Sequence, residues 1–143
     1  MTTPDTAFQA GYSATPLPKK LGVKPGQRIT VIDPPARFIQ DGLGPLPEGS
    51  SLAPDLGDPV DLAIVFAFEL LRLAELLPDL ERATAPDGAF WVAWPKKASK
   101  VPTDITEDRI RDLILPRGLV DTKVCAIDVT WSGLRLCLRR ELR

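Results

Sequence analysis

Histidine is absent from the 143-residue chain. That removes the side chain that most often serves as a general base and as a transition-metal ligand, and with it histidine triads and histidine metal sites. Cysteine is scarce as well. Cys125 and Cys137 lack the close spacing of a zinc knuckle or of a C-x-x-C redox motif, so no metal site is expected and the pair reads as packed thiols. Charge of one sign is missing too. Eighteen Lys and Arg stand against nineteen Asp and Glu, a net charge of −1, so no global field draws the chain to nucleic acid or to an anionic membrane. Any charged partner must be recognised locally. No run approaches the roughly 20 apolar residues of a membrane helix, and residues 1–10 carry neither a basic nor an apolar signal region. These absences predict a cytoplasmic chain with no membrane partner.

What is present is the balance of a globular protein: 44% hydrophobic and 26% charged residues, enough for one core. Fifteen prolines gather mainly in residues 1–60. We therefore expect a disordered terminus over residues 1–11 and a single α/β domain over residues 12–143, with ordered coil in its first part.

The first strand is RITVI, residues 28–32, β-branched and stopped by Pro34 and Pro35, neither of which can donate to a ladder. A helical turn is expected around residues 19–21, a short helix over 36–41 and loop over 42–59. DLAIVFAF, residues 61–68, is apolar on both alternating faces, as a central strand of a parallel sheet should be. Leu70, Leu73, Ala74, Leu77 and Leu80 then recur at helical spacing, with Pro78 expected to kink or restart the helix. FWVAW, residues 90–94, reads as a third strand ended by Pro95. Thr106 can cap a helix whose first turn holds Glu107 and Asp108 and whose apolar face is Ile110, Leu113 and Ile114. Residues 123–129 and 134–140 read as a hairpin joined by residues 130–133. The pattern predicts an α/β three-layer sandwich, with a mostly parallel sheet of about five strands ending in an antiparallel hairpin.

The order of a strand, ATAPDGAFWVAW (83–94), a helix and RGLVDTKVCAIDVTWSGLRLCLRR (117–140) resembles the second half of the Rossmann-like methyltransferases that use S-adenosylmethionine. The likeness covers about 80 residues and implies a shortened methyltransferase-like sheet; it implies little about activity. In that family a glycine-rich loop follows strand one, where this chain has Asp33, Pro34, Pro35, Ala36, Arg37 and Phe38. Two prolines fix the backbone and remove two donors there, so no cofactor is expected and S-adenosylmethionine is not expected to bind. The family also holds the ribose with an acidic residue at the end of strand two, and the 28 residues between Ile32 and Asp61 show no convincing strand. At the level of whole motifs, YSATPLPKKLG, FWVAWPKK, TDITED and KVCAIDVTWSGL are similar to the bacterial family named domain of unknown function 3052. That resemblance runs from Tyr12 and implies one domain, with no activity and no catalytic residue attached.

In a doubly wound sheet, ligands lie outside the carboxyl ends of the parallel strands. Those ends carry residues 33–36, Phe68 with Glu69, and residues 94–97. Beside Trp94, the lysines Lys96, Lys97 and Lys100 occur with no acid among them, a lip that could hold a phosphate or carboxylate. The plainer reading is a solvated loop. Tyr12 and Ser13, with Lys19 and Lys20, could cross the same edge. Trp131 and Ser132 are placed at the hairpin tip, as a packing anchor or as a partner contact. Asp104 and Asp128 have no spacing that ties them to each other or to a nucleophile, so no catalytic residue is named. Two functions follow. One is a non-catalytic binding or interaction module that holds a small anionic ligand or an acidic peptide. The alternative is an enzyme, a minimal S-adenosylmethionine-dependent methyltransferase or another small transferase.

Overall fold

The computed structural model describes residues 15–143. Leu62–Phe66 (β3) is buried along its whole length, as an unbroken apolar strand covered on both faces must be. Arg28–Ile32 (β1) and Ala89–Pro95 (β4) flank it in parallel, with Ile29 opposite Leu62 and Leu62 opposite Ala89. Ser51–Ala53 (β2) adds a parallel edge beyond β1. Leu119–Ala126 (β5) and Trp131–Leu138 (β6) form the antiparallel hairpin, with β6 against β4. The sheet order is β2-β1-β3-β4-β6-β5, so the α/β sandwich with a mostly parallel sheet stands.

The sheet has six strands, where about five were expected. The sixth is β2, in the segment read as loop. Three residues are too few to show a period of two, and Gly and Pro surround them. The pairing is set instead by long-range bonds: the Thr30 hydroxyl donates to the Ala53 carbonyl at 3.0 Å and the Ser51 N–H to that of Gln27 at 3.0 Å. The hairpin turn also moves, from residues 130–133 to residues 127–130. Buried Asp128 explains the shift, because its carboxylate accepts the N–H groups of Thr130 and Trp131, each at 2.8 Å, and so folds the chain back before Trp131. The short helix expected over 36–41 is a six-residue π-helical turn, Phe38–Leu43. Pro78 neither breaks nor restarts Leu70–Thr84 (α2); it lies on the exposed side and the helix runs through it.

The sheet separates two apolar layers, as alternation along β4 requires. Phe90, Val92 and Trp94 face α2 and Glu107–Ile114 (α3), packing with Leu73, Leu77, Leu80, Ile110 and Ile114. Burial of each of these leucines contributes about 2 kcal/mol. Trp91 and Ala93 point the other way, into a cluster with Leu21, Phe38, Ile64, Phe66 and Trp131. Among the described residues the helical elements covering that second face are Leu17–Lys20 (α1) and the π-helical turn. Trp91 ties the cover down, donating its indole N–H to the Leu21 carbonyl at 2.8 Å. Thr106 caps α3 as expected, accepting the Arg109 N–H at 3.1 Å.

Candidate functional site

From β1 the chain passes outward to β2, then returns across β1 to β3 on its other side. The connections therefore reverse direction between β1 and β3, and it is outside the carboxyl ends at such a switch point that doubly wound sheets take their ligands. Asp33 follows β1 directly and Phe68 lies two residues past β3. Asp33, Arg37 and Lys100 are the non-glycine residues with positive φ among the described residues, at 54°, 64° and 62°. All three lie in loops leaving the carboxyl ends of β1 and β4. Such conformations are costly for side-chain-bearing residues and concentrate where a loop is shaped for a purpose.

Side chains stitch these loops together. Asp33 Oδ2 lies 3.3 Å from Arg72 NH2 at the start of α2. Arg37 forks onto Asp41, and this hydrogen bond, helped by the carboxylate's charge, raises the guanidinium pKa further above its ordinary value. The Phe38 N–H is turned back to the Pro35 carbonyl at 3.1 Å. Opposite, the Thr103 hydroxyl and the Asp104 N–H both donate to the Phe68 carbonyl, at 2.6 and 3.3 Å. Asp104 Oδ1 accepts the Leu70 N–H at 2.7 Å, and so caps α2 where Glu69 does not. Asp104 and Asp128 thus both hold backbone.

One carboxylate at this edge escaped the sequence reading. Asp55 stands two residues beyond β2, is exposed, and accepts the Gly57 N–H through Oδ1 at 2.8 Å. The segment between Ile32 and Asp61 therefore does hold a strand with an acid after its carboxyl end, contrary to expectation. The PD pair that follows SLA was the available signal, but it reads as a turn until the strand is known.

The lysine lip is where parallel pairing of β3 and β4 puts it. Phe66 lies opposite Ala93, and Lys96, Lys97 and Lys100 leave the carboxyl end of β4. Lys96 is half-buried and its N–H donates to the Thr130 carbonyl at 2.7 Å, while Lys97 and Lys100 are exposed. Trp94 does not join them. It is only 7% exposed and packs in the α2/α3 layer, because it shares a face with Phe90 and Val92. Trp131 and Ser132 are not at a hairpin tip but open β6, opposite Pro95 and Trp94. Trp131 is buried, with its ring 5.0 Å from that of Phe66 and 5.2 Å from that of Phe68, which leaves Phe68 as the exposed aromatic of this edge among the described residues. Ser132 is half-buried within the strand. Tyr12 and Ser13 lie outside the described residues. Lys19 and Lys20 line a cavity over the hairpin with Lys123 and Arg135. Among the described residues no three His, Cys, Asp or Glu stand together as a metal site, and no helix is long and apolar enough to cross a membrane.

No family model matches the chain, so the motif resemblance to domain of unknown function 3052 gains no support, and no curated protein matches it either. Solved structures do match. An S-adenosylmethionine-dependent methyltransferase from Aquifex aeolicus shares 14% identity, covering 85% of this chain and 87% of its own, with a TM-score of 0.62. The fibrillarin pre-rRNA processing protein of Methanococcus jannaschii shares 11%, covering 95% of this chain and 76% of its own, with a TM-score of 0.61. A ribosomal protein L11 methylase from Lactobacillus delbrueckii subsp. bulgaricus shares 12%, covering 87% and 75%, with a TM-score of 0.53. At these identities the likeness shows the fold, and the fold is a methyltransferase-like Rossmann sheet.

Proposed function

We propose that the chain is a methyltransferase-type domain in minimal form, which takes a ligand of the S-adenosylmethionine class in the crevice between the ends of β1 and β3. Asp55 carries this reading. The resemblance places a ribose-holding acid at the end of strand two, and Asp55 is an exposed acid two residues beyond β2. The carboxylate can accept both hydroxyls of a ribose, and exposed Phe68 offers an apolar wall at the neighbouring strand end. Similarity to methyltransferases over most of the chain supports the same reading. Methyl transfer from a sulfonium depends on positioning two reactants, so a chain without histidine is not debarred from it.

The fit is uneven. The ribosyl side has its acceptor, but on the other side of the crevice Pro34 and Pro35 have no N–H to give an amino-acid carboxylate, and only a π-helical turn follows them. That observation favours a second reading, a non-catalytic module in which the lip of Lys96, Lys97 and Lys100 holds a small anionic ligand or an acidic peptide. Calorimetry on the full chain separates the two. Saturable binding of S-adenosylhomocysteine, weakened about tenfold in Asp55→Ala, supports the first. No heat with S-adenosylhomocysteine, but binding of an anionic peptide that Lys96→Ala with Lys97→Ala weakens at unchanged thermal stability, supports the second.

A further inference from the structure

We propose that the cavity between α1 and the exposed face of the β5–β6 hairpin is a binding site for a small phosphate-bearing ligand, distinct from the carboxyl-edge crevice. The cavity, about 280 Å³, is lined by Lys19, Lys20, Lys123 and Arg135, with Thr122 at its side and Trp91 as its floor, and no carboxylate among the described residues lines it. The basic residues come from the two ends of the chain. Register brings Trp91, Arg135 and Lys123 into one cross-strand row, and α1 lays Lys19 and Lys20 over it.

Four like charges in one cavity repel, yet hydrogen bonds hold three of them in place. Lys20 Nζ donates to the Ala126 carbonyl at 3.0 Å, Lys123 Nζ to that of Lys20 at 3.2 Å, and Arg135 NH1 to the Thr122 hydroxyl at 3.0 Å. Each ammonium has three donors and the guanidinium five, so these bonds leave most of the donors for a ligand. The partner groups are all uncharged. Among the described residues none of the four cations is in an ion pair, whereas Arg28, Arg37, Arg72, Arg82, Arg111 and Arg117 each face an Asp or Glu. Four cations thus share this cavity with no carboxylate among the described residues paired to any of them, on a chain of net charge −1. Held donors around an uncompensated charge are the arrangement that recognises a phosphate group, and Arg135 adds a bidentate fork.

The size narrows the ligand. A cavity just under the usual range of small-molecule sites, roughly 300–1,000 Å³, takes a phosphate with a small organic remainder, such as a sugar phosphate. A nucleic acid would need a basic track continued well beyond a cavity of this size. Cys125, half-buried on the same strand as Lys123, is a natural reporter. Its thiol feels the charges of Lys20 and Lys123, so a bound anion that offsets them slows its alkylation.

The test is a titration of the full chain with ribose 5-phosphate and with inorganic pyrophosphate at low salt, read by calorimetry and by the rate of Cys125 alkylation in Cys137→Ser protein. The expected result is one saturable site, slower alkylation on saturation, and affinity lost about tenfold in Lys123→Gln and in Arg135→Gln. Lys19→Gln, which removes a charge whose side chain makes no hydrogen bond among the described residues, keeps the test valid if either of those variants unfolds, and should weaken binding in the same direction. Arg82→Gln, on the far face, should bind as the parent does. Four results would overturn the inference: no saturation, equal loss in Arg82→Gln, loss confined to Lys96→Gln with Lys97→Gln, or tighter binding of an oligonucleotide at several sites per strand.

Discussion

Arg72 and Asp33 meet at 3.3 Å across the point where the sheet's connections reverse, joining the loop after β1 to the helix after β3. Both side chains are about half exposed, at 46% and 52%, so the pair is screened by solvent. It contributes under about 1 kcal/mol to folding. Arg72→Ala should therefore leave the urea midpoint almost unchanged, while changing the affinity of any ligand that enters the crevice. A large loss of stability with no change in binding would show the pair to be a structural clamp instead.

Asp128 is expected to matter far more to the fold. It is 4% exposed and its carboxylate accepts two backbone N–H groups at 2.8 Å, the buried one of Trp131 and the half-buried one of Thr130. Asp128→Ala should cost about 2 kcal/mol in chemical denaturation and broaden the near-ultraviolet signal of the tryptophans. Stability within a few tenths of a kcal/mol of the parent would contradict this account of the hairpin.

The Cys125 thiol gives a pH dependence of definite sign. Burial pushes its pKa above the ordinary value, against the opposing charges of Lys20 and Lys123. The unfolded thiol ionises near pH 8.5, roughly its free value, and the folded thiol ionises higher. The contribution of the neutral thiol is thus fully present below about pH 8.5 and lost as pH rises through the folded pKa. Denaturant midpoints measured from pH 7 to pH 10.5 should fall less steeply in Cys125→Ser than in the parent. Thiolate absorbance in the native protein that appears below the ordinary pKa would overturn the assignment.

How much of this was legible in the sequence depended on length and distance. Leu62–Phe66 was readable because five consecutive apolar residues leave no solvent face, and its central place followed. The positions of Lys96, Lys97 and Lys100 at the sheet edge followed in turn from parallel pairing. Trp94 was misjudged although the pattern was available: alternation from Phe90 and Val92 puts it on their buried face. Ser51–Ala53 was not readable, since three residues carry no period and their partner is Thr30, 23 positions from Ala53. Asp55 was lost with that strand. The basic cavity was out of reach for a similar reason, because Lys20 and Ala126 meet across 106 positions and no local pattern announces them.

The crevice reading stands or falls on Asp55, and titration calorimetry of the full chain with S-adenosylhomocysteine tests it most directly. The account predicts one saturable site in the parent protein, with affinity reduced about tenfold in Asp55→Ala and thermal stability close to that of the parent, because the side chain is exposed. Absence of binding at millimolar ligand, or binding that Asp55→Ala leaves untouched, would contradict it and leave the methyltransferase-like sheet as a scaffold put to another use.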